Sequence, residues 1–166
     1  SALALTSQSI AIGGEATATG FQSTAIGGNV KATGDASVAL GGDDLGVDLR
    51  TAYGAEYQSL TGSALPSSYV STESSGAASV ALGVQAKANG NFGTAIGMTS
   101  LASGGASVGI GAKSTASGDG STAIGVNSSA TQKNASAIGL NSTANAQYTT
   151  AIGSGGNNAS TATQAT

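Results

Sequence analysis

The chain has 166 residues with 27 glycines, one proline and no cysteine, histidine or tryptophan; 8% of its residues are charged, 4% are aromatic, and the net charge is −3. The missing cysteines exclude disulfides, thiol catalysis and cysteine-ligated zinc, and the missing histidines remove the commonest general base and metal ligand. The few Lys and Arg form no basic cluster, so nucleic acid is not an expected partner, and neither a run of about 20 apolar residues nor a signal-peptide pattern is present. Disorder goes with low hydrophobicity and high charge; here charge is low, and aliphatic residues recur at a fixed phase.

In chain order, Ile12-Gly13 opens a series of Ile/Leu-Gly pairs continued by Ile26-Gly27 and Leu40-Gly41. It resumes at Leu82-Gly83, then Ile96-Gly97, Ile110-Gly111, Ile124-Gly125, Ile138-Gly139 and Ile152-Gly153. Neighbouring pairs are 14 residues apart, except Leu40 and Leu82, which are three periods apart. A short unvarying period marks a β-solenoid with one coil per repeat. Coils are expected over 1–42 and 76–156, a non-repeat insertion over 43–75 and a polar tail over 157–166, all in one domain. Ser1 stands within one repeat of the first Ile-Gly, so the chain reads as a piece of a longer protein.

With the Ile/Leu at position 0, position −1 is Ala except at Gly109, and −2 is β-branched or Ser. Position +6 is Ala in each complete coil, as in Ala88, Ala102 and Ala116, and +4 is small. The alternation from −3 to 0 predicts one strand and the stretch from +4 to +7 a second. Glycines at +1 and +8 predict two turns, by positive φ or by close approach of adjacent coils. Side chains alternate across a strand, so −1, +4 and +6 are placed inside the coil. Positions 0 and −2 then face outward. An outward ladder of Ile12, Ile26, Leu40, Leu82, Ile96, Ile110, Ile124, Ile138 and Ile152 is too large an apolar stripe for a soluble monomer and is assigned to an interface between chains. The alternative puts Ile and Leu inside and gives a monomeric solenoid with a conventional core.

The insertion concentrates the chemistry. It holds the only arginine (Arg50), the only proline (Pro66), three of the four tyrosines (Tyr53, Tyr57, Tyr69) and five of the eight acidic residues. Loops on rigid frames carry function, and Tyr and Arg are enriched at binding hot spots. Arg50, Tyr53, Tyr57 and Tyr69 are therefore candidate ligand-binding residues, with Lys31 and Lys87 on the outward position +5. Structural alternatives are a hairpin or loop covering a groove between chains, or two degenerate coils. Asp43, Asp44 and Asp48 lack an EF-hand spacing and read as solvated loop carboxylates. No cofactor or metal is expected. Asn127, Asn134, Asn141 and Asn158 match the glycosylation acceptor pattern but read as turn residues, and Lys113 and Lys133 as solvated surface.

Coils such as Ser79-Val80-Ala81-Leu82-Gly83-Val84-Gln85-Ala86-Lys87-Ala88-Asn89-Gly90 resemble the head repeat of trimeric autotransporter adhesins of Gram-negative bacteria, the YadA-like head. The resemblance covers the coils and not the insertion. It implies an all-β, left-handed parallel β-roll assembled as a homotrimer. It also implies tethering at the bacterial surface through regions outside this chain and multivalent binding of host matrix proteins of the collagen, fibronectin or laminin type. No coiled-coil heptads or clear neck motif follow Gly153. An enzyme is not expected, since no nucleophile–base pair is visible and hexapeptide acyltransferase helices use a different period. An ice-binding solenoid would need regular Thr ladders, which are missing. A phage, spore or surface fibre acting purely as a spacer shares the same physics and stays open.

Overall fold

The computed structural model describes residues 1–153; the expected tail at 157–166 and Asn158 lie outside the described residues. The chain winds into two nine-stranded parallel sheets, each coil giving one strand to each sheet. One sheet is built of two-residue strands, from Leu3–Ala4 to Thr143–Ala144. The other has strands of three or four residues, from Ile10–Ile12 to Thr150–Ile152. Each residue pairs with its equivalent in the next coil: Thr94 with Val108 and Ile96 with Ile110 in the longer-stranded sheet, Leu101 with Thr115 in the other.

The interior is made of methyl and hydroxyl groups. Ala95, Ala123 and Ala137 at −1, Ala88, Ala102, Ala116 and Ala130 at +6, and Ser114 at +4 are completely buried. The Ile and Leu of position 0 point the other way, half-buried or exposed. The reading with Ile and Leu inside is therefore excluded: alternation puts them on the face opposite Ala, and two facing rows of Ala leave no room for them.

Serine at −3 is buried at Ser23, Ser37, Ser79, Ser107 and Ser121; among the described residues the hydroxyls of Ser23, Ser37 and Ser121, and of Ser114 at +4, have no hydrogen-bond partner, while others close a turn. Ser79 and Ser107 donate to the carbonyls of Gly76 and Gly104, three residues earlier, both at 2.7 Å. Ser100 and Ser128 at +4 do the same to Gly97 and Gly125, both at 2.9 Å. Each bond satisfies a turn carbonyl that faces the interior, where an unpaired polar group is costly.

The two glycine rows work differently. Gly97 at +1 has φ +123°, which an L side chain rarely adopts, and a Cβ there would stand 2.7 Å from the carbonyl of Gly111. Gly104 at +8 has an ordinary φ, but a Cβ would collide with the carbonyl of Gly118 in the next coil. The left-handed turn positions are instead +3 and +10. Asn127 and Asn141 hold the first and Asn134 the second, with φ between 54° and 57°, a conformation that Asn tolerates better than most residues.

The insertion is neither a hairpin nor a pair of degenerate coils. It is an α-helix, Val47–Thr61, followed by a return segment. Its bounds are narrower than 43–75. Asp43 keeps its ladder place, with the Asn29 amide donating to its carboxylate at 3.3 Å. Thr72 and Ser74 are buried at +4 and +6, and Glu73–Ser74 is a strand pairing with Lys31–Ala32 on one side and Lys87–Ala88 on the other. The excursion is residues 44–71, two periods long, leaving from +3 and returning at +4 of a single coil. A hydrogen bond from the Val70 N–H to the Asp43 carbonyl, 3.0 Å, closes its neck. Across it Leu40 pairs directly with Leu82, so the sheets run on unbroken.

Candidate functional site

Two surfaces depart from an inert polar coat. The first is the outer face of the longer-stranded sheet. Ile12, Leu82, Ile124, Ile138 and Ile152 are exposed there, and Ile26, Leu40, Ile96 and Ile110 are half-buried. Val38, Val80 and Val108 run beside them at −2, also half-buried. Parallel pairing in strict register turns one aliphatic residue per coil into a continuous stripe.

The second surface is the insertion. Its helix begins after Gly46 without a side-chain cap, and Asp48 in the first turn suits the positive end of the helix dipole. It ends on Gly62 in the left-handed conformation, whose N–H donates to the Gln58 carbonyl at 2.8 Å. Arg50, Gly54, Tyr57 and Thr61, spaced i, i+4, i+7, i+11, are the helix residues that are not exposed; this stripe faces the solenoid.

Three residues at position +3 of successive coils hold the excursion. The Gln85 amide donates to the carbonyls of Asp43, 2.7 Å, and Ser68, 2.8 Å. Thr99 shares a 2.7 Å hydrogen bond with the Tyr57 hydroxyl; because Thr99 donates to the Met98 carbonyl, Tyr57 is the donor. Lys113 Nζ donates to the Thr61 carbonyl at 2.9 Å and to Ser63 Oγ at 2.5 Å, placing a cation at the negative end of the helix. Tyr57 at Thr99 and Thr61 one coil further on at Lys113 show that the helix runs along the solenoid axis, in the direction in which the coils advance. Lys113 is therefore not the solvated lysine expected from its turn position.

The candidate ligand-binding residues divide into groups. Arg50 is turned toward the frame and pairs with Asp44 at 3.5 Å, each about a quarter exposed or less. Tyr57 is committed to Thr99. Tyr53 and Tyr69 are free on the surface, 55% and 76% exposed. Lys31 and Lys87 lie on the outer face of the other sheet, flanking Glu73 in register, on the solvent side of the coil and not in the helical excursion. The docking row was missed from sequence. Its signal was a +3 position that changes from Glu15, Asn29 and Asp43 before the insertion to Gln85, Thr99 and Lys113 after it.

Five segments of the chain, 7–29, 18–43, 74–100, 102–128 and 130–155, match the family described as YadA head domain repeat (2 copies). Together they cover well over half of the chain, and they stop at 43 and resume at 74, on either side of the helical excursion. No curated protein matches the chain significantly.

Proposed function

Since the chain belongs to the YadA head family, a family of adhesin heads at the bacterial cell surface, we propose that three copies pack side by side, aliphatic faces inward, as a left-handed trimeric roll. Regions outside this chain tether the rod to the outer membrane. The rod binds host matrix proteins of the collagen, fibronectin or laminin type through many weak contacts, whose summed avidity exceeds that of any single one. The observation that supports assembly is the aliphatic row from Ile12 to Ile152: a stripe of this length on a chain whose own interior is already filled by Ala and Ser needs a partner. The exposed Tyr69 is the insertion's candidate for ligand contact.

Sedimentation equilibrium over a range of concentrations is expected to give three times 15.5 kDa; a folded species that stays monomeric would refute the assembly. Solid-phase binding to collagen, fibronectin and laminin tests adhesion. A trimer that binds none of them, and no host-cell surface, is the spacer fibre of the second reading.

A further inference from the structure

We propose that the insertion helix is a clamp between copies: its exposed stripe of Leu49, Tyr53 and Leu60 packs on the edge of the neighbouring chain formed by Ala78, Phe92 and Ala106. This rests on the side-by-side assembly proposed above.

The helix has two flanks beside its docked stripe. One carries Leu49, Tyr53 and Leu60, which are 47%, 55% and 42% exposed; the other carries Thr51, Ala55 and Gln58. About half of each apolar side chain on the first flank is left uncovered by the described residues.

The opposite edge of the coils, position +10, offers a matching surface. Ala36, Ala78, Phe92 and Ala106 occupy four consecutive coils there, all exposed, with Phe92 67% exposed. Their φ values lie between 51° and 62°, the left-handed region that Gly and Asn occupy more readily than Ala or Phe. Beyond this run the row turns to Gln8 and Gln22 on one side and to Gly120 and Asn134 on the other, before a separate exposed aromatic at Tyr148. An apolar side chain kept in a disfavoured conformation and left in water calls for a contact outside the chain.

The heights agree. Coils are spaced about 4.8 Å apart and the helix rises about 1.5 Å per residue. With Tyr57 fixed at Thr99, Tyr53 stands one turn back, level with the Gln85 coil, whose far edge carries Phe92. Leu60 stands level with the Lys113 coil, one coil beyond the one that carries Ala106, and Leu49, about 12 Å back from Tyr57, lies between the Asp43 coil, which carries Ala78, and the Asn29 coil, which carries Ala36. In a closed ring about an axis parallel to the solenoid, symmetry keeps equivalent coils at one height and brings the +3 edge of one copy to the +10 edge of the next. The helix of each copy then lies on the edge of its neighbour.

The protein has no cysteine, so Tyr53→Cys together with Phe92→Cys introduces one defined pair. The two sites lie on opposite edges of a coil within a chain. A short bismaleimide is expected to link the double variant into covalent dimers and trimers, and to link a co-assembled mixture of the two single variants into dimers, while each single variant alone stays unlinked. Phe92→Asn, which suits the left-handed turn, is expected to leave the circular dichroism of the chain unchanged and to raise the concentration needed for half-assembly about tenfold or more, the effect of removing one aromatic anchor. A trimer that forms without cross-links, and at the parental concentration when Phe92 is Asn, overturns the clamp and leaves the assembly standing. A parent that stays monomeric overturns both.

Discussion

Lys113 donates from its Nζ to the carbonyl of Thr61, 52 residues earlier in the chain. The bond ties the last turn of the helix to a coil three levels beyond the one from which the helix departs. A hydrogen bond to a charged group contributes about 1.5–3 kcal/mol. Partial exposure of Lys113 puts this one toward the lower end. Lys113→Met is expected to loosen the helix and leave the sheets intact. Amide exchange over residues 57–63 should accelerate, while the main thermal transition moves little. A cooperative loss of the whole fold would contradict a helix held only by its edge contacts.

Removing residues 44–71 joins Asp43 to Thr72. The product has Leu40 at 0, Asp43 at +3, Thr72 at +4, Ser74 at +6 and Gly76 at +8, a complete coil. It is expected to fold with an uninterrupted ladder and to lose helical signal in circular dichroism. Removing 43–75 instead would take out Thr72 and Ser74, which are buried, and break the period; that variant should unfold at lower temperature. Equal stability of the two deletions would refute the boundaries.

Ala116 is completely buried, and its strand neighbour Thr115 faces outward. Ala116→Leu is expected to destabilise by about 1–3 kcal/mol or more, as overpacking does, and Thr115→Leu by much less. Ala130 and Ser129 form a second such pair. Chemical denaturation of the four variants measures the difference, and equal shifts would mean that the strand faces are reversed.

Ile110 is the sixth of the nine residues of the aliphatic row and is half-buried in the single chain. In the proposed trimer, Ile110→Asp places a carboxylate toward the shared axis in each copy. Three unpaired charges taken out of water cost several kcal/mol each, so sedimentation should report monomer. Thr115→Asp, on the opposite face, should leave the assembly unchanged.

Much of the solenoid is legible in the sequence because every coil repeats the same few contacts. Ala at −1 and +6, Gly at +1 and +8 and an aliphatic residue at 0 each answer a packing demand that returns unchanged in the next coil. Reading insides from outsides needs only strand alternation, as Thr115 and Ala116 illustrate. The helix is not legible from that pattern, since it answers a demand made once. Val47–Thr61 does carry helix signals: Arg, Leu, Glu and Gln, the spacing of Arg50, Gly54, Tyr57 and Thr61, and Gly62 and Pro66 beyond the end. A central Gly54, unfavourable in a helix by about 1 kcal/mol relative to Ala, and a polar composition weaken them. The return point was obscured because Ser74 replaces the usual Ala at +6 and Thr72 stands at +4, where the other coils have Ala, Val or Ser. The docking row is the least legible part. Gln85, Thr99 and Lys113 look like any polar turn residues until the segment they hold, 50 residues earlier for Lys113 and Ser63, is placed beside them.

The direct pairing of Leu40 with Leu82 separates chain length from reach. Every ordinary coil lifts the tip of the rod by about 4.8 Å, but residues 44–71, enough for two coils, add no height. At their level they thicken the shaft and change its cross-section. A surface structure that must stand clear of its surroundings gains nothing in distance from them; what it gains is a landmark at one fixed elevation, on an otherwise uniform column.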